Sequence, residues 1–91
     1  MIIRIAGKLK QSAVSVGTSA TAIPTTAAVG RISIGIHNIG INTIYLGDST
    51  VTAVNGFPLE PGEKLSFDLD ANVVLYGISS ATNEVRILEA V

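Results

Sequence analysis

Ninety-one residues can build one modest hydrophobic core but not two, and a chain with no cysteine has no disulfide framework to brace it. Hydrophobic residues make up 47% and charged residues 14%, against about 25% charged in an average soluble domain, so part of the apolar surface is expected to be covered by other chains. The net charge is −1, and Arg4, Lys8, Lys10, Arg31, Lys64 and Arg86 are scattered along the sequence, which leaves nucleic-acid binding without an electrostatic footprint.

The first apolar run, Met1-Ile2-Ile3-Arg4-Ile5, is too short for a secretory signal and is broken by a charge. Strands are expected at residues 3–6 and 13–16. The Thr/Ala-rich stretch 18–29 reads as an extended strand or a docking arm, so that residues 1–30 form either an arm or an edge-strand region. Ile2, Ile3 and Ile5 are the candidate arm for pairing with a neighbour's sheet edge, or else an ordinary first strand. The clearest signal follows in Arg31-Ile32-Ser33-Ile34-Gly35-Ile36-His37-Asn38, where Ile32, Ile34 and Ile36 share one face at period two, the mark of a half-buried strand. Thr43-Ile44-Tyr45-Leu46-Gly47 and Thr50-Val51-Thr52-Ala53-Val54, both rich in β-branched or aromatic residues and divided by Gly47-Asp48-Ser49, predict a hairpin.

Asn55-Gly56 opens a longer connection through Phe57-Pro58-Leu59-Glu60-Pro61-Gly62, in which Pro61 and Gly62 suit the central positions of a type II turn. Lys64-Leu65-Ser66-Phe67-Asp68-Leu69-Asp70 alternates again, with Leu65, Phe67 and Leu69 inward. Val73-Val74-Leu75-Tyr76-Gly77-Ile78-Ser79 is almost continuously apolar, as a strand covered on both faces is. Ser80-Ala81-Thr82-Asn83 turns into a last strand, Glu84-Val85-Arg86-Ile87-Leu88-Glu89. Turns at intervals of 8 to 12 residues or so, with no helical periodicity, predict an all-β, single-domain antiparallel β-sandwich or jelly-roll-like barrel of about seven to eight short strands spanning residues 1–91. No window approaches the ~18 consecutive apolar residues of a membrane-spanning helix, so a soluble protein is expected.

Chemistry is hard to find. His37, the only histidine, lies on the face opposite Ile32, Ile34 and Ile36, a surface or interface position rather than a catalytic one. Gly47-Asp48-Ser49-Thr50 has the look of a serine-esterase block, but no histidine follows Ser49, and turn chemistry accounts for it. Asp68, Asp70 and Asn72 match the opening of a calcium loop, yet Val73 and Ser79 stand where a glycine and a bidentate glutamate belong. Gly35 and Gly40 have phosphate-loop spacing, with Ile41 and Asn42 in place of the lysine and hydroxyl residue. None of the five asparagines lies in a glycosylation sequence. Tyr45, Phe57, Phe67 and Tyr76 are few for a sugar platform; Phe67 belongs to the core by its alternation, and Tyr45 and Phe57 are possible contacts. The reading is of a non-enzymatic protein with no catalytic residue, no metal and no cofactor.

One resemblance covers roughly residues 18 to 90. Ile34-Gly35-Ile36-His37-Asn38, Ile44-Tyr45-Leu46-Gly47, Val51-Thr52, Gly56-Phe57-Pro58-Leu59-Glu60-Pro61-Gly62 and Val74-Leu75-Tyr76-Gly77-Ile78-Ser79, in that order, resemble small β-sandwich proteins and modules of tailed-bacteriophage structural genes. Similar modules occur in capsid decoration proteins, head fibres and tail parts. The resemblance implies a structural protein of the virion, made in the host cytoplasm. A short chain poor in charge fits best as a decoration (cement) protein on the capsid surface. Its partner would be the major capsid protein or another virion protein, and it would form a homo-oligomer, a trimer by resemblance to decoration proteins. The alternative is a tail or head-fibre module that binds a host-surface carbohydrate through residues 47–49 and 55–61. Neither implies a nucleic-acid or membrane partner.

Overall fold

The computed structural model describes residues 7–91, a stretch that runs back and forth through eight strands: β1 (Leu9–Val16), β2 (Thr21–Ile23), β3 (Ser33–Asn38), β4 (Ile44–Gly47), β5 (Phe57–Leu59), β6 (Lys64–Asp68), β7 (Leu75–Ser79) and β8 (Asn83–Ala90). They form two four-stranded antiparallel sheets in the orders β1-β8-β3-β6 and β2-β7-β4-β5. Only β4 and β5 are sequence neighbours that pair, and every other ladder joins strands distant in the chain. This is the double-sheet arrangement of a jelly roll, and it bears out the all-β expectation.

The core lies where the inward residues of both sheets meet. Val14, Val16, Ile34, Ile36, Val85 and Ile87 come from the first sheet, and Ile23, Ile44, Leu46 and Leu59 from the second. β-Branched side chains dominate because they pack well on a pleated surface. Leu65 and Phe67 lean onto this cluster only partly buried, since β6 is an edge strand. Pro58, which has no N–H to give a ladder, sits in the edge strand β5, where that lack is tolerated. The turn at residues 60–63 closes with the Glu63 N–H donating to the Glu60 carbonyl at 3.0 Å, and Gly62 takes φ +83°, as the third position of a type II turn requires.

Three expectations are corrected, and one stretch left between two alternatives is decided. Residues 50–54 are not a strand, and the partner of β4 is β5, with Ile44 opposite Leu59 and Leu46 opposite Phe57. Local bonds defeat β propensity there: the Asn55 side chain accepts from the Thr52 N–H at 2.8 Å, and the Thr52 hydroxyl accepts from the N–H groups of Val54 and Asn55. Val51 is buried instead as a plug above Gly47 and Gly56. Ile32 does not share the buried face of Ile34 and Ile36; it precedes β3 and is about one-third exposed. Val73 and Val74 fall outside β7 and are half exposed. The 18–29 stretch contributes β2 to the second sheet and buries Ile23 and Ala28, so these parts of it are packed within the sandwich rather than reaching out as an arm. Residues 13–16 are strand as expected, within a longer β1. The strand expected at residues 3–6 and the arm residues Ile2, Ile3 and Ile5 lie outside the described residues.

Candidate functional site

Successive strands alternate in direction, so the loops divide between two ends of the sandwich. At one end lie residues 24–32, 48–56 and 69–74, with the start of β1 and the end of β8; at the other lie 17–20, 39–43, 60–63 and 80–82. Ten large hydrophobic side chains are exposed among the described residues. Seven of them, Leu9, Val29, Ile32, Val54, Phe57, Val73 and Val74, gather at the first end. Val29 is 93% exposed, Val54 97% and Phe57 63%. Ile39 and Ile41 occupy the opposite end, and Leu88 the outer face of the first sheet. Single exposed apolar residues are ordinary, but a group of them marks an interaction surface. From this end an apolar groove lined by Leu46, Phe57, Leu65, Phe67 and Leu75 opens between the edge strands β5 and β6.

A buried ion pair holds the end in shape. Arg31 donates to Glu89 Oε2 through Nη1 at 3.0 Å, to the Leu69 carbonyl through Nε at 3.1 Å, and to the carbonyls of Asp70 and Val73 through Nη2 at 3.0 and 2.7 Å. The same Glu89 oxygen accepts from the Ala28 N–H at 2.9 Å. Arg31 therefore fastens the loop carrying Val73 and Val74 to β8, and Glu89 fastens the loop carrying Val29. Both side chains are almost completely buried. Sequence reading missed this pair and counted Arg31 among scattered basic residues. A lone Arg directly before a strand, facing no solvent-exposed acid in its own segment, is the only signal it offers.

A second polar cluster ties the two sheets at the opposite end. Asn38, fully buried on β3, donates through Nδ2 to the carbonyls of Asn42 and Leu59, each at 2.9 Å. Its Oδ1 accepts from the Gly40 N–H at 3.0 Å and from Asn83 Nδ2 at 2.7 Å. Asn83 Oδ1 in turn accepts from the Asn42 N–H. Gly40 lies directly against the Asn83 side chain, with no room for a Cβ. That contact is the structural use of this glycine, in place of any phosphate loop.

The residues weighed for chemistry are dispersed. His37 faces outward from β3, opposite Lys64 on β6 and Arg86 on β8, with no carboxylate in hydrogen-bond contact. Asp70 Oδ1 accepts from the Asn72 N–H at 2.8 Å, an Asx turn, and among the described residues no group of three His, Asp or Glu side chains comes together to hold a metal ion. No helix is long and apolar enough to cross a membrane among the described residues. Tyr45 and Tyr76 are half-buried on the outer face of the second sheet, on the neighbouring strands β4 and β7. Residues 47–49 and 55–57 lie together at the apolar end, in and beside the 48–56 loop, and the second expected sugar-binding stretch then runs along β5 to Pro61 at the other end.

Asp48 opens the 48–56 loop. Its Oδ1 accepts from the Thr50 hydroxyl at 2.6 Å and from the Thr50 N–H at 2.9 Å, and these bonds hold its carboxyl below the ordinary value of 3.8. A depressed acid stabilises its fold fully above the unfolded value and loses that contribution as pH falls through the folded one. An NMR titration of the Thr50 amide should therefore show the loop holding its bonds down through pH 3.8 and releasing them only below it. A midpoint above that value would contradict the bonding.

No family model matches this chain, and no curated protein does. Among solved structures it is similar to a protein of the Bacillus endospore appendages, described as disulfide-linked pili. The likeness has a TM-score of 0.46 at 17% identity and covers 100% of this chain and 97% of that one.

Proposed function

We propose that this chain is a non-enzymatic structural protein of a tailed-phage particle, a decoration protein that docks on the coat lattice of the head through the apolar end of its jelly roll. The observation that carries the reading is the gathering of seven of the ten exposed large hydrophobics at one end; the ordered motifs from Ile34 to Ser79 supply the virion context. An exposed apolar patch of about 300–600 Å² releases roughly 8–15 kcal/mol on burial, which is comparable with the about 4–15 kcal/mol that association costs. One footprint alone is marginal. Joining copies into a homo-oligomer, for which we propose a trimer, makes the later contacts intramolecular and supplies the missing affinity.

Val54→Asp combined with Val73→Asp tests the docking face. Both side chains are exposed, so the variant should unfold within about 0.5 kcal/mol of the parent, yet fail to co-sediment with particles that retain the parent. Co-sedimentation at the parental level would reject this end as the contact surface.

A second reading, a tail or head-fibre module that binds a host-surface carbohydrate, is favoured by Tyr45 and Tyr76, which lie half-buried side by side on one outer face. Glycan-array binding that disappears in Tyr76→Ala would support it; an array with no binding would reject it.

A further inference from the structure

We propose that the outer face of the β1-β8-β3-β6 sheet is a receptor for a carboxylate-bearing segment of a partner protein, seated between Lys64 and Arg86 over His37. This surface is separate from the apolar end. The register places Arg86, His37 and Lys64 side by side on three adjacent strands, a juxtaposition that scattered positions in the sequence conceal. With strands about 4.8 Å apart, the Lys64 and Arg86 backbones stand roughly 10 Å from each other, a span that a carboxylate side chain fits. The neighbouring row contains Gly35 between Leu88 and Ser66, and its missing side chain opens a trough of about 230 Å³ bounded by Gln11, His37, Lys64, Arg86 and Leu88.

Two further facts favour an anionic occupant. Among the described residues Arg31 and Glu89 make the only ion pair, so neither Lys64 nor Arg86 is ion-paired within the chain. Glu84, the next outward residue along β8, accepts from the Ser15 hydroxyl at 3.2 Å and makes no ion pair with Arg86. The composition of the trough selects the kind of anion. A nucleic acid or a sulfated polysaccharide needs cations repeated along its length, whereas here one basic row is followed by Gln11, Leu88 and Gly35. A single carboxylate flanked by an apolar residue satisfies both rows.

The test is an amide-resolved NMR titration with a capped Gly-Leu-Glu-Leu-Gly peptide, its Gly-Leu-Gln-Leu-Gly counterpart and a sulfated disaccharide, each to about 10 mM. The glutamate peptide should shift Gly35, His37, Lys64, Arg86 and Leu88, and its affinity should fall about tenfold or more when glutamine replaces glutamate. Lys64→Glu with Arg86→Glu should abolish the response while the rest of the spectrum stays in place. Equal binding of the glutamine peptide, shifts confined to another face, no shift at all, or tighter binding of the sulfated sugar would each overturn the proposal. No particle enters the experiment, so its failure leaves the docking reading untouched.

Discussion

Replacing Arg31 with methionine is expected to cost about 3–5 kcal/mol of folding stability, because it strands a buried charge that nothing else neutralises. In a domain of this size that is a large share of the roughly 5–15 kcal/mol available. The substitution removes four bonds at once, to Glu89 and to the carbonyls of Leu69, Asp70 and Val73, so the 69–74 loop should loosen before the sandwich does. Arg31→Lys keeps the charge but cannot reach a carboxylate and three carbonyls with one ammonium, and should recover only part of the loss. Arg31→Met combined with Glu89→Leu removes both charges and should be more stable than either single variant. Urea unfolding of the parent, the three single variants and the double variant reads all of this. A single-variant loss below about 1 kcal/mol would show that the pair does not hold the end together.

Asn38→Leu should be nearly as damaging. The leucine is similar in size, so the loss measures polar bonds rather than packing. It leaves the carbonyls of Asn42 and Leu59, the Gly40 N–H and the Asn83 amide without their partner. Each stranded buried group costs about 1–3 kcal/mol, and with relaxation of the 39–43 loop we expect on the order of 3 kcal/mol in thermal or urea unfolding. Asn38→Asp sharpens the test. An ionised carboxylate cannot donate to the two carbonyls, whereas a protonated one can donate to one of them, so this variant should regain stability relative to the parent as pH is lowered from 7 toward 4. A neutral effect of either substitution would mean that the sheets are fastened by packing alone.

Much of the fold was legible because strand periodicity is a local signal. Ile34 and Ile36, Leu65 and Phe67, and Val85 and Ile87 announce their faces within a few residues, and Pro61-Gly62 names its own turn. The motif that suggested a structural lineage is explained residue by residue: Asn38 is the buried hub, Leu59 is core and lends its carbonyl to that hub, and Gly56 lies against Tyr45, where a Cβ would have no room. What failed was local propensity set against local bonding, as at residues 50–54, and an apolar run read as strand when Val73 and Val74 belong to a loop end. The Arg31 and Glu89 pair lies 58 residues apart, and the row of Arg86, His37 and Lys64 exists only through register. Neither has a periodicity to reveal it. The same holds for the candidate site, whose apolar residues come from three loops and two strand ends.

The central claim is most directly tested by cryo-EM of intact particles together with the copy number of this chain relative to the major coat protein. Many copies spread over the head are expected, each turning the end that bears Val29, Val54 and Val73 toward the shell. A few copies confined to the tail or to one vertex, or a head contact made through another face of the sandwich, would contradict it.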